Sequence, residues 1–222
     1  MKLWDTTQYS KTNTVLDPIA DFTHHTAIVN DVAFHSVHSH MFGSVSDDRT
    51  LQIVDTRQAP GEGPSRKVTA HADAVNCLAF SPASDYIIAT ASADKTVALW
   101  DLRHLSQKLH SLQGHTAEVN GLSWHPHEES VLASSSADRR ICFWDLSRIG
   151  EEQSAEDAED GPPELLFMHG GHTNRISDFA WNPNDPWVMV SAAEDNLIQC
   201  WKASQSVVGK ADEEITNDEL EN

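Results

Sequence analysis

The 222-residue chain holds 34 acidic against 15 basic residues, a formal charge of −19 at neutral pH. That balance argues against general nucleic-acid binding, because phosphates need Lys and Arg to displace their counterions, and it favours or steers a basic partner. A hydrophobic fraction of 39%, with seven Trp and seven Phe, can support a core in one domain of moderate size or two small ones, while no stretch reaches the ~18 apolar residues of a membrane span.

In chain order, Met1-Lys2-Leu3-Trp4-Asp5 comes first and reads as the tail of a repeat unit. The opening MKLWDTTQYSK has no apolar run of the kind a signal peptide needs. Four copies of one pattern follow, aligned on His25, His71, His115 and His172. Four residues after each His comes a β-branched residue (Val29, Val75, Val119, Ile176), and nine after it an aromatic (Phe34, Phe80, Trp124, Trp181). At nineteen stands a hydroxyl (Ser44, Thr90, Ser134, Ser191) and at twenty-three an aspartate (Asp48, Asp94, Asp138, Asp195). At twenty-nine are Val54, Trp100, Trp144 and Trp201, followed by Asp55, Asp101, Asp145 and Lys202.

Each copy reads as strands. In the third, VNGLSW, SVLASSS and RRICFWD are short apolar or alternating runs with turn residues between them. The spacers KLHSLQ and ELLFM supply a fourth strand. Period, strand count and the Gly-His…Trp-Asp pattern give an all-β fold, a WD40 β-propeller with four full blades and part of a fifth. It occupies residues 1–209, with an acidic Pro-Pro loop at 150–166, and a disordered acidic tail is expected at 210–222.

Recurring His, Ser and Asp invite a hydrolase triad, but a triad is one set in one cleft, and here the set recurs at constant spacing. The structural reading is a hydrogen-bonded tetrad within each blade: His71, Thr90, Asp94 and Trp100; His115, Ser134, Asp138 and Trp144; His172, Ser191, Asp195 and Trp201. Such chains satisfy buried polar groups that otherwise cost about 1–3 kcal/mol each. The first copy has Val54 for Trp, so its network should be shorter and its outer strands looser. His35, His38 and His40 fall in a turn with no carboxylate or Cys beside them, which reads as loop histidines rather than a metal site. Cys77, Cys142 and Cys200 form no CxxC pair and read as reduced, buried thiols. No catalytic residue, metal or cofactor is expected.

The segments SADKTVALWDLR (92–103), WDLSRIGEEQSAEDAEDGPPELLFMHGGHTNRISDF (144–179) and SAAEDNLIQCW (191–201) carry a more specific likeness. The chain resembles the histone-binding WD40 proteins related to the retinoblastoma-binding chromatin chaperones. The resemblance implies a seven-bladed propeller with a long N-terminal helix, so that the helix and about three blades are not in this sequence. It also implies nuclear and cytoplasmic location and a non-catalytic role. In that role the chain would hold histones H3 and H4 for a catalytic acetyltransferase subunit or other chromatin-complex subunits, without direct nucleic-acid or membrane contact. A generic propeller adaptor, such as a ubiquitin-ligase substrate receptor, is the alternative.

Two sites follow from the resemblance. The 26-residue spacer Leu146–Gly171 is longer than Thr56–Ala70 and Leu102–Gly114, at 15 and 13 residues. Its stretch 151–167 has seven acidic residues and no basic one. Glu156, Asp157, Glu159 and Asp160 are expected to meet the basic side chains of the first helix of histone H4. Pro162 and Pro163 would stiffen the loop, and Leu165 and Phe167 would line the floor. On the top face, Asn30, Asn76, Glu118, Asn120 and Glu194 are expected to take extended basic peptides such as the H3 tail.

Overall fold

The structure, a computed structural model, describes residues 1–9, 11, 15–58, 62–154 and 157–208. Strand β1 (Lys2–Leu3) pairs antiparallel with β2 (Ala20–Asp21) as a two-stranded remnant. Three four-stranded antiparallel sheets follow, each a meander running outward from an innermost strand. The first blade is β3 (Val29–Phe34), β4 (Met41–Ser46), β5 (Thr50–Asp55) and β6 (Arg66–Thr69). The second is β7 (Val75–Phe80), β8 (Ile87–Ser92), β9 (Thr96–Asp101) and β10 (Lys108–Gln113). The third is β11 (Val119–Trp124), β12 (Val131–Ser136), β13 (Ile141–Asp145) and β14 (Leu165–His169). The fourth has three strands among the described residues, β15 (Ile176–Trp181), β16 (Val188–Ala193) and β17 (Ile198–Lys202).

Inner strands pack blade on blade: β3 against β7, β7 against β11, β11 against β15. Central strands are therefore covered on both faces, and the alternation of a half-exposed strand disappears. All six residues of β12, Val-Leu-Ala-Ser-Ser-Ser, are buried. Small residues make this approach possible. A Cβ on Gly43 would stand 3.2 Å from the ring of Phe80 in the next blade. The later aromatics of the same column lock blades by donating backward, Trp124 Nε1 to Ala79 O at 3.1 Å and Trp181 Nε1 to Ser123 O at 3.3 Å.

Three apolar clusters lie along these contacts: Leu51, Ile53, Phe80 and Trp100; Leu112, Leu132 and Trp144; Phe143, Ile176 and Met189. Val54 leaves β5 buried from Thr50 to Val54, and β6 is the short outer strand, four residues against six in β10. Cys77 and Cys142 are buried, and burial pushes both thiols up. Cys200 is exposed, against the expectation from its apolar neighbours, because it lies on β17, where burial is only partial and alternating. The acidic tail 210–222 and Glu156 lie outside the described residues.

Candidate functional site

Within each blade the conserved spacing brings four side chains into one chain of bonds. In the third, Trp144 Nε1 donates to Ser134 Oγ at 2.8 Å, Ser134 Oγ lies 2.7 Å from His115 Nε2, and His115 Nδ1 lies 2.9 Å from Asp138. The second repeats this with Trp100, Thr90, His71 and Asp94 at 2.9, 2.8 and 3.0 Å. The fourth does so with Trp201, Ser191, His172 and Asp195 at 3.1, 2.8 and 3.1 Å. In the first, His25 meets Ser44 and Asp48 at 2.8 and 2.9 Å, and Gln52 Nε2 joins at 3.1 Å where no indole is present.

In the three blades that carry an indole, one tautomer satisfies every step: His Nδ1–H donates to Asp, and Nε2 accepts the hydroxyl, whose oxygen accepts from indole. Burial pushes the His71 imidazole down despite the Asp94 charge beside it. Burial also works to raise the Asp94 carboxyl, but bonds from Thr96 and Ala72 and the charge of His71 hold it below its ordinary range. The four hydroxyls are at most 1% exposed, so none can reach a substrate carbonyl.

On the inner strands, the asparagines act between blades. Asn30 Nδ2 donates to Val75 O at 3.0 Å and to Asp47 at 2.7 Å. Asn76 Nδ2 donates to Val119 O at 2.9 Å and to Asn120 Oδ1 at 3.2 Å. Asn120 Nδ2 is buried without a hydrogen-bond partner among the described residues. Glu118 and Glu194 are exposed. His35 is buried in the first blade, its Nε2 on Asp85 O at 2.9 Å and its Nδ1 accepting the amides of Val37 and His38. His35 is thus a turn anchor bridging two blades.

The acidic spacer folds back on itself. A single helical turn, α1 (Asp157–Asp160), starts from Ser154, whose Oγ accepts the Asp157 amide at 3.1 Å and donates to Asp157 Oδ2 at 2.7 Å. Asp157, Glu159 and Asp160 are exposed, and among the described residues no basic side chain pairs with them. Gly161 then takes φ +133°, Pro162 and Pro163 are half-buried, and Leu165 N–H closes the turn on Pro162 O at 2.9 Å. A Cβ on Gly161 would lie 2.8 Å from Leu165 Cδ2. Gly161→Ala is therefore expected to cost about 1–2 kcal/mol and to lower the melting temperature in a thermal scan.

Beyond the turn, the register of β14 on β13 shifts between Phe143 and Trp144. That bulge breaks the alternation, so Leu165 and Phe167 do not share a face. Leu165 packs with Leu112 and Trp144, whereas Phe167 packs with Phe143 and Trp201. Between them and the helical turn sits Glu164, 4% exposed, with Oε1 2.7 Å from His110 Nε2 on β10 of the neighbouring blade. Neither residue of this pair was legible from spacing.

The family model described as "WD domain, G-beta repeat" matches residues 16–55, 63–101, 106–145 and 163–202. The chain belongs to the WD40 repeat family. Those matches end on the last residues of β5, β9, β13 and β17, so each takes three strands of one blade together with the strand before them, and β6, β10 and β14 fall in the match that follows their own blade. This WD40 chain is 66% identical over its whole length to a protein of Aspergillus oryzae named Histone acetyltransferase type B subunit 2. It is likewise 66% identical to the protein of that name from Aspergillus fumigatus, and 63% identical, over 99% of its length, to that from Schizosaccharomyces pombe. The chain spans about half the length of these curated relatives, 51–52%.

Proposed function

We propose that this WD40 chain serves as a non-catalytic histone-binding subunit of a histone acetyltransferase or chromatin-assembly complex, in nucleus and cytoplasm, holding histones H4 and H3 for a partner enzyme. The observation that carries this reading is the acidic helical turn. Asp157, Glu159 and Asp160 stand exposed and, among the described residues, unpaired by bases on a stem braced by Gly161, Pro162 and Pro163. A basic amphipathic helix such as the first helix of H4 fits such a surface, its Arg and Lys meeting carboxylates while its apolar face covers the half-buried β14 edge. The names of the relatives point the same way. A non-catalytic role is supported by the tetrads, whose hydroxyls are used up in buried bonds. On the top face, the exposed Glu118 and Glu194 are the candidates for the H3 tail, with Asn30, Asn76 and Asn120 shaping the channel between blades.

The test is fluorescence anisotropy of an H4 first-helix peptide on the chain and on its Asp157→Ala/Glu159→Ala/Asp160→Ala variant. The triple variant should bind at least about threefold more weakly, since exposed pairs contribute about 0.2–1 kcal/mol each, and with a shallower salt dependence. Equal affinity in the two proteins would remove the loop from the binding site.

A further inference from the structure

Blades of a propeller diverge outward, so the outermost strands of neighbours are where packing between blades is thinnest. His110 lies there, on β10, with 31% of its side chain exposed, and it reaches across to Glu164, whose side chain is 6% exposed. The two are 54 residues apart in sequence and 2.7 Å apart in space. No other side-chain partner of Glu164 is found among the described residues, so His110 alone compensates the burial of this carboxylate. A buried carboxylate without a partner is costly, and one with a short, charge-assisted bond is held firmly.

The backbone of Glu164 is fixed as well: its carbonyl accepts the Asp145 amide at 2.8 Å, and the next residue closes the Pro162 turn. Glu164 is therefore the point at which the acidic spacer is pinned to the scaffold. Four residues upstream lies the end of the helical turn that carries Asp157, Glu159 and Asp160. Proline at 162 and 163 fixes φ at two of the three residues between the pin and that turn. The geometry points to His110 as a positioning residue: the His110–Glu164 bond latches the acidic loop of the third blade onto the outer strand of the second and so presets the carboxylates for a basic helix. This rests on the histone-binding reading for the identity of the ligand, but the latch itself does not.

The consequence is separable from folding. Losing the bond should leave the blades intact and free the loop, and disorder in a preset loop lowers affinity without removing a contact. His110→Ala and Glu164→Gln change the pair from each side, and His110→Gln keeps a donor in place of the imidazole N–H. Hydrogen exchange by mass spectrometry on the 222-residue chain reads the latch directly. In His110→Ala, the amides of Leu165 and Asp145 and those of residues 157–161 should exchange at least about tenfold faster. The inner strands β3, β7, β11 and β15 of the four blades should keep their protection, and His110→Gln should restore most of the slow exchange.

Anisotropy with the H4 first-helix peptide then reads its use: affinity should fall about tenfold in His110→Ala and recover in His110→Gln. Unchanged exchange in residues 157–165 overturns the latch whatever the peptide does. Faster exchange with unchanged affinity keeps the latch and overturns its role in positioning. If the parent chain fails to bind the peptide, the histone reading falls, and the exchange data still decide the latch.

Discussion

Trp144→Ala should be among the most damaging single substitutions in the chain, costing about 3–5 kcal/mol. The indole is fully buried against Leu112, Leu132 and Leu165, at the seam of the second and third blades. It is packed so closely that a Cβ on Gly114 would come within 2.9 Å of its Cη2. Truncation leaves a cavity that rigid strands on both sides cannot collapse into. It also strips Ser134 Oγ of the indole N–H that donates to it at 2.8 Å. Against a typical stability of about 5–15 kcal/mol, this is enough to shift the urea midpoint far down in a denaturation curve followed by circular dichroism. Trp144→Phe separates the two contributions, because it keeps most of the packing and loses a hydrogen bond worth about 1 kcal/mol. Trp4, 48% exposed, is the control, and its replacement by Ala should change stability by no more than about 0.5 kcal/mol. A Trp144→Ala loss below about 1 kcal/mol, too small for a buried indole, would mean that the seam is not packed as described.

The second large effect is a loss of stability in mild acid centred on His125. This residue is 1% exposed, with the rings of Trp181 and Trp187 each 4.6 Å from its own. Its Nδ1 accepts two turn amides, His127 at 3.1 Å and Glu128 at 2.8 Å, so the proton sits on Nε2, which has no hydrogen-bond partner among the described residues. Burial, and secondarily His127, push its pKa down to about 4. A second proton would also have to displace two N–H donors.

The sign follows from linkage. The folded pKa lies below the unfolded value of about 6.5, so this contribution is complete above pH about 6.5 and is lost as pH falls toward about 4, reaching about 3 kcal/mol. His71 and His169, both pushed down chiefly by burial, add loss in the same direction. Below pH about 4 a second loss begins, because hydrogen bonds hold the buried carboxyls of Asp48, Asp94 and Asp138 below their ordinary range against the opposing effect of burial.

Acidification also relieves repulsion in a chain of charge −19, so a variant is needed to isolate the histidine. The repeat supplies it. The position ten residues after each anchoring His holds His35, Ser81, His125 and Asn182, and in every blade it accepts turn amides. His125→Asn keeps that bond and removes the titration. Urea midpoints of parent and variant should diverge at pH 7 and approach one another by pH 5. A constant difference across that range would refute the assignment.

That shared turn-anchoring position shows how far the sequence reaches. The spacing of nineteen, twenty-three and twenty-nine residues put Ser134, Asp138 and Trp144 into one blade with His115, because a blade is a local object and its bonds recur at fixed intervals. The same periodicity places all four repeats as antiparallel sheets and exposes the recurring His, Ser and Asp as scaffold. The anchor at His125 was equally periodic but masked by chemistry, since His, Ser and Asn accept an amide by different atoms.

The acidic spacer was conspicuous by composition, and Asp157, Glu159 and Asp160 do stand together on one exposed turn. What composition did not reveal is how the stem is held. The bulge that sends Leu165 and Phe167 to opposite sides depends on a register shift against Phe143 and Trp144. The spending of the Asn30 and Asn76 amides on carbonyls of the next blade depends on how closely inner strands approach.

The sequence by itself determined the blades of this WD40 chain, their strand order and the charge of its loop, because those follow from hydrogen bonding and burial within about forty consecutive residues. Only the tertiary structure decided which side chains join one blade to the next. His110 and Glu164 meet because separate blades are set side by side around an axis, and a contact of that kind leaves no period in the chain to be read.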